Sequence, residues 1–263
     1  MSSHDLFNVS QHGFLPCRST LTQILLSSYD WFVPYNRSVQ VDVVNVDFSK
    51  AFDTVCHGKL ILDLETYGVS GALLRRLRSF LTGRSFPVKV GDSLSNSLPV
   101  SNGVPQRSVL DPLLFLIYIN DQSDSVVSTC KIFANDFKIY RPIGDPVFVL
   151  GILQDDLDRL SVWSRTWQLG VSHGNCSLLR VGARHDCCLK IEGHSLNSSI
   201  VRDLGANFDL ALQRGYHCRI VSAKAMRVVN CLLRSLCHNS VEQFCRAFAT
   251  YVRPVLEYCA QVW

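Results

Sequence analysis

Two short strings constrain this chain more than anything else in it: Val46-Asp47-Phe48-Ser49-Lys50-Ala51-Phe52-Asp53 and Phe133-Ala134-Asn135-Asp136. Each closes a β-branched, apolar run, residues 39–46 before the first and 129–133 before the second. Such runs read as buried strands, so the strings put carboxylate-bearing residues at two strand ends far apart in sequence. A two-metal site requires that arrangement. Mg²⁺ is held by one or two carboxylates plus substrate phosphates, and a pair of such ions clamps an in-line displacement at phosphorus. Asn135 stands where that chemistry would prefer an acid. Taken alone, Asp47 could instead cap the helix that follows, with Ser49 as a second candidate.

The remaining pattern frames these strings. Helices are predicted over 19–31, 60–67 and 72–81, the last two broken by Gly68 and Gly71, after a buried strand over 40–47. A hairpin of 86–90 with 94–100 turns at Gly91-Asp92, and an apolar helix spans 108–120. Strand, tight turn and strand follow over 129–134 and 137–140, then a long amphipathic helix over 147–167 and short strands at 177–181, 188–191 and 200–204. Helices near 214–236 and 241–258 close the chain. Strands interleaved with helices, then a helical tail, give an α+β core with a helical appendage.

Composition excludes several classes. A chain of 263 residues, 47% apolar, can bury a sizeable core and carries no signature of disorder. The longest apolar run, 112–119, is too short to span a bilayer, so no membrane association is expected. No basic and apolar leader opens the sequence. The 11 cysteines are therefore expected as reduced thiols in an intracellular setting, nucleus or cytoplasm. A net charge of +4 permits a nucleic-acid partner without arguing for one. His173, Cys176, His185, Cys187 and Cys188 match no usual zinc spacing. Asp155, Asp156 and Asp158 read as a solvated helix face. No nucleophile elbow or phosphate-binding loop occurs.

The order of motifs carries more. Gln11-His12-Gly13-Phe14 precedes Arg18-Ser19-Thr20 and the Asp47 string. Then come Ser101-Asn102-Gly103-Val104-Pro105-Gln106, Pro112-Leu113-Leu114-Phe115 and the Asn135 string. Trp163, Trp167, Asp203-Leu204-Gly205 and Val252-Arg253-Pro254 with Leu256-Glu257-Tyr258-Cys259 and Val262-Trp263 follow. This succession resembles the reverse transcriptase domain of non-LTR, LINE-type retrotransposons, especially the jockey and chicken-repeat-like groups. The resemblance implies a right-hand polymerase palm, an antiparallel sheet backed by helices, over 39–210. Residual fingers would occupy 1–38, and a thumb would begin over 211–263.

It also implies an RNA-directed DNA polymerase using two Mg²⁺ ions, an RNA template, a DNA primer and dNTP. Asp47 would ligate both metals, Phe48 would offer its carbonyl to one, and Asp136 would be the outer carboxylate beside Asn135. Phe52 would be the steric gate under the sugar, with Gln106 near the sugar and Pro105 shaping its loop. An aromatic beside a metal-bound triphosphate suits that role, and a Gly-Val-Pro-Gln turn suits close backbone approach. Arg75, Arg76, Arg78, Arg84 and Lys89 lie on and after a helix whose other face is Leu73, Leu74, Leu77 and Leu81. That face suits a template–primer backbone, or is an ordinary solvated one.

Four positions depart from the family pattern. Asn135 replaces the metal-bridging aspartate, Arg107 a glycine, Asn175 a lysine near the triphosphate, and Asp111 a glycine before Pro112. Asp111 has a local rationale as an N-cap before an N1 proline. A neutral amide at the bridging position, losing ~3–4 kcal/mol of transition-state stabilisation, would slow the reaction on the order of 10²–10³-fold. Upstream basic residues that the family uses for the triphosphate are expected to be missing. The expectation is an impaired polymerase domain; the alternatives are an inactive palm remnant that at most binds nucleic acid, and a product without function.

Overall fold

The computed structural model describes residues 6–144, 146–182, 188–197, 200–236 and 240–262. The chain runs through α1 (Thr20–Asn36), β1 (Gln40–Val46), a single-turn α2 (Ala51–Thr54), α3 (His57–Thr66) and α4 (Gly71–Leu81). Four two-residue strands follow, β2 (Ser85–Phe86), β3 (Lys89–Val90), β4 (Ser93–Leu94) and β5 (Leu98–Pro99). Then come α5 (Asp111–Tyr118), β6 (Thr129–Phe133), β7 (Asp136–Ile143), α6 (Pro146–Trp167) and β8 (Ser177–Val181). Small hairpins of β9 (Lys190–Ile191) with β10 (His194–Ser195) and β11 (Val201–Asp203) with β12 (Ala206–Phe208) lead to α7 (Arg214–Ser235), α8 (Val241–Tyr251) and α9 (Arg253–Glu257).

The central sheet has the order β6-β7-β1-β8, every pair antiparallel. Side chains alternate between its faces, and both faces are covered. Val44, Val46, Ile132, Phe137, Ile139 and Leu178 face a core completed by Leu60, Leu64, Phe115, Tyr118, Leu153 and Leu157 of α3, α5 and α6. Val41, Val43, Tyr140, Leu179 and Val181 face the other way, onto Ile24 and Trp31 of α1 and onto Val201 and Phe208 of the β11–β12 hairpin. A strand buried on both faces reads as an unbroken apolar run. β1 follows this only in part: its four valines supply both faces, while Gln40 and Asp42 are buried polar residues among them. The α+β arrangement with helices backing an antiparallel sheet is thus as expected.

Several local expectations need correction. The closing helix breaks at Val252, which ends α8 and starts α9; Pro254 has no N–H to continue the α8 ladder and sits instead in the first turn of α9, where none is needed. Asp111 is the first residue of α5 rather than its cap. Its N–H donates to the Ser108 hydroxyl at 3.1 Å, while its carboxylate accepts from the Arg107 N–H at 3.1 Å. Asp156 is not solvated. It is fully buried in the core-facing phase of α6, and its two oxygens accept from the N–H groups of Val127 and Ser128 at 2.8 and 2.9 Å. Leu73 is 57% exposed, and α4 packs instead through Leu74, Leu77, Phe80 and Leu81. His185, Cys187 and Trp263 lie outside the described residues, and the nine described cysteines are free thiols. Among the described residues no helix is long and apolar enough to cross a membrane.

Candidate active site

Register builds the site. Val46 of β1 faces Phe137 of β7, so one residue further on Asp47 stands opposite Asp136. β6 turns into β7 through only Ala134 and Asn135, with Phe133 paired to Asp136. Ala134 takes φ +54°, the left-handed entry that two-residue hairpins favour. Asp47, Asn135 and Asp136 therefore share one end of the sheet. Period-2 alternation puts Asp136 on the face that carries Lys138 and Tyr140, toward α1 and β11.

Asp47 and Asp136 line one cavity of about 260 Å³ together with Asn45, Lys138, Asn175 and Asp203. Asp136 is exposed at the start of β7, yet the protein packed around its carboxyl removes enough hydration to push it up to about 6, with the negative charges of Asp47 and Asp203 pushing the same way and Lys138 opposing. Two carboxylates that repel each other at a strand end are a donor set a divalent cation would relieve. Yet among the described residues no group of three or more His, Cys, Asp or Glu is arranged to hold a metal. Asn175 donates from Nδ2 to Asp47 Oδ2 at 2.8 Å. Ser172 donates its backbone N–H to the Asp47 carbonyl at 2.8 Å.

Of this cavity's members, Lys138 escaped the sequence reading, and Asp203 entered it only as part of the Asp203-Leu204-Gly205 motif, with no role assigned. Lys138 and Asp203 form a buried ion pair that ties β7 to β11, and the Lys138 ammonium lies 5.2 Å from the Trp31 ring centroid. Strand alternation was the available signal, since Lys138 sits two residues beyond Asp136.

The segment after Asp47 is fixed from both sides. Phe48 is buried, bridges Val171 and meets Trp163 edge-on at 6.1 Å between centroids. Phe52 is half-buried, stacked on Phe115 at 4.1 Å and edge-on to Phe14 at 6.4 Å. The loop ending in Pro105 and Gln106 docks on α2. Gly103 N–H donates to the Val55 carbonyl at 2.8 Å, Val104 N–H to the Phe52 carbonyl at 2.9 Å, and Gln106 Nε2 to Asp53 Oδ1 at 2.6 Å. Gly103 sits at φ +86°, and a Cβ there would stand 2.8 Å from the Asp53 carbonyl oxygen. Arg107 is exposed at φ +65°, in a backbone conformation that favours glycine. That is a physical reason for the glycine that the resemblance implies at this position.

The basic cluster divides. Arg84 is half-buried, its guanidinium donating to the carbonyls of Leu81 and Gly103, both at 2.9 Å. Arg78 lies 3.8 Å from Glu65, while Arg75, Arg76 and Lys89 are exposed. Of the residues weighed as zinc ligands, His173 bonds Glu192 at 2.9 Å and stacks on His194, and Cys176 bonds the Ser172 carbonyl at 3.3 Å.

Residues 1–208 match the family model described as reverse transcriptase (RNA-dependent DNA polymerase). The chain is 26% identical to a probable RNA-directed DNA polymerase from transposon BS of Drosophila melanogaster, over 96% of this chain and 30% of that protein. It is 26% identical to the RNA-directed DNA polymerase from mobile element jockey of Drosophila funebris, over 83% of this chain and 25% of that one. The chain thus spans less than a third of the length of these relatives. Among solved structures, telomerase from Candida albicans, in complex with a fragment of telomeric RNA, superposes with a TM-score of 0.52 at 11% identity, over 99% of this chain and 44% of that chain. At that identity the likeness speaks for the palm-type fold alone. With four-fifths of its length matched by the family model and its relatives including the polymerases of the jockey and BS elements, the chain belongs to the reverse transcriptase family, as a domain of the LINE-type, non-LTR retrotransposon kind.

Proposed function

We propose that this domain descends from a template-directed nucleotidyl transferase and has lost most of its polymerase activity while keeping its palm. The observation that carries the reading is the register of β1 and β7, which sets Asp47 opposite Asp136 with Asn135 in the turn between β6 and β7. In the ancestral reaction a primer 3′-oxygen bonds the α-phosphorus of a dNTP as the α–β bridge breaks and pyrophosphate leaves. Reverse transcriptases generally use divalent metals. Here Mg²⁺ would be held by Asp47 and Asp136, with the Phe48 carbonyl and the neutral Asn135 amide oxygen as weaker donors, and would supply charge stabilisation to the transferring phosphoryl group.

The chain's own residues set the rest. Phe52, braced by Phe115 and Phe14, would limit the space under the sugar. Gln106, held by Asp53, would stand beside it with Pro105 behind. Arg107 puts a flexible cation where a glycine would leave room for the nucleotide. Arg75, Arg76, Arg78 and Lys89 would track a template–primer backbone, and Arg84 supports them by anchoring the Gly103 loop. On this reading 39–210 is the palm, 211–263 begins a thumb, and 1–38 belongs with the fingers although α1 also packs on the palm sheet. A template and primer would be met inside the cell, in nucleus or cytoplasm.

Primer extension tests this. The purified chain with oligo-dT on poly-rA and Mg²⁺ is expected to bind the duplex in a salt-sensitive way and to add no nucleotides. Asn135→Asp alone is not expected to restore extension. The same change with Arg107→Gly and Asn175→Lys, joined to the remaining polymerase segments of a relative, is expected to restore it, first with Mn²⁺. Robust extension by the unaltered chain would refute the impairment.

A further inference from the structure

The Gln11-His12-Gly13-Phe14 string lies beside the catalytic hairpin. His12 N–H donates to the Ile132 carbonyl at 2.7 Å and Ile132 N–H to the Ser10 carbonyl at 2.9 Å, so residues 10–12 run parallel to β6 as an extra edge. Arg18 closes the segment from behind, its guanidinium donating to the carbonyls of Val9 and Gln11. The Gln11 side chain is thereby buried next to the β6–β7 turn, the residue being only 4% exposed.

Its Oε1 accepts two backbone N–H bonds at once, from Gly13 at 2.7 Å and from Ala134 at 3.0 Å. The second bond answers a specific need. The ladder pairs Phe133 with Asp136 and leaves Ala134 outside it, while Ala134 itself is buried. A buried N–H without a partner costs its full desolvation. Gly13 makes the approach possible, because a Cβ there would stand 2.4 Å from the Ala134 nitrogen. Gln, unlike Glu, accepts both bonds without adding a third negative charge next to Asp136 and Asp47. Phe14, one residue further, carries the same segment to the Phe52 ring.

We propose that Gln11 is a positioning residue for the catalytic turn: its side-chain oxygen fixes the Ala134 N–H, and with it the direction in which Asn135 and Asp136 leave the turn. Gly13 is the gap that lets the turn reach it. The proposal deepens, and rests on, the reading of Asp47, Asn135 and Asp136 as the metal-binding edge. It assigns the Gln-x-Gly spacing a task in the palm rather than in the fingers.

Amide exchange on the full chain, read residue by residue by NMR, tests it alongside Mn²⁺ titration. Gln11→Met keeps the side-chain length and removes the acceptor. Protection of the Ala134 N–H is expected to fall about tenfold, while the Ile132 N–H, held by Ser10, stays within about threefold of the unaltered chain. Mn²⁺ affinity is expected to weaken several-fold in the same variant. Gln11→Glu keeps an acceptor oxygen and is expected to retain the Ala134 protection, a rescue that packing alone would not produce. Should Gln11→Met not fold, Gln11→Asn, one methylene short of the turn, is read the same way. Unchanged Ala134 exchange on losing the acceptor overturns the tether, and unchanged Mn²⁺ affinity with a released Ala134 overturns the positioning role. A chain that binds no Mn²⁺ at all overturns the metal-edge reading instead, leaving the tether to stand or fall on exchange.

Discussion

At the scale of single residues, backbone conformation separates substitutions that disturb only chemistry from those that also disturb folding. Arg107 occupies φ +65°, where a side chain costs about 1–2 kcal/mol, whereas glycine loses only about 0.5–1 kcal/mol of extra chain entropy on folding. Arg107→Gly is therefore expected to stabilise the domain by about 0.5–1 kcal/mol, read as a higher urea midpoint at unchanged slope. A lower midpoint would mean that the Arg107 side chain contributes contacts of its own. Asp111 shows the opposite case. Its carboxylate accepts the Arg107 N–H, so this acid braces the very turn that the side chain at 107 strains. Asn135, unlike Arg107, does not sit at positive φ, so no backbone strain announces it. Sequence exposes it because Asp136 beside it and Asp47 define what chemistry the place is for.

At the scale of elements, what was legible depended on whether a signal was local. The strand before Asp47 and the capped start of α1 at Ser19 follow from local composition and capping chemistry, whereas the tight turn expected at 135–136 falls one residue earlier, at Ala134-Asn135, and Asp136 already belongs to β7. Asp156 was not legible in this way, because its burial depends on the backbone of residues 127–128 arriving from another part of the chain. The break of the last helix was written in Pro254 and missed in favour of apolar spacing. Lys138 was missed because a lysine on a strand reads as solvent-facing until β11 brings Asp203 over it. That pair makes a sharp prediction. Lys138→Met strands a buried carboxylate and is expected to cost about 3–5 kcal/mol, and adding Asp203→Leu should recover most of the loss. Additive losses in the denaturation midpoints of the two single variants and the double variant would mean that the two residues act separately.

At the scale of the whole molecule, titration reports on the packed helices as well as on the site. Burial pushes the Asp63 carboxyl of α3 up to about 7 from 3.8, with the charge of Asp121 pushing the same way and Lys59 opposing both. The folded state thus holds a proton that the unfolded chain releases, so this group's contribution is full below about pH 4 and is lost as pH rises through 7. Asp63→Asn is expected to gain stability relative to the unaltered chain across that window, and equal pH profiles of the two would remove Asp63 from the account. The chemistry rests on the sheet end, where Asp47 stands opposite Asp136 and an amide sits in the turn. Mn²⁺ binding followed by electron paramagnetic resonance measures it most directly. One bound ion is expected per unaltered chain, two for Asn135→Asp, and none for Asp47→Asn. Two ions in the unaltered chain, or binding that survives Asp47→Asn, would contradict this reading of the site.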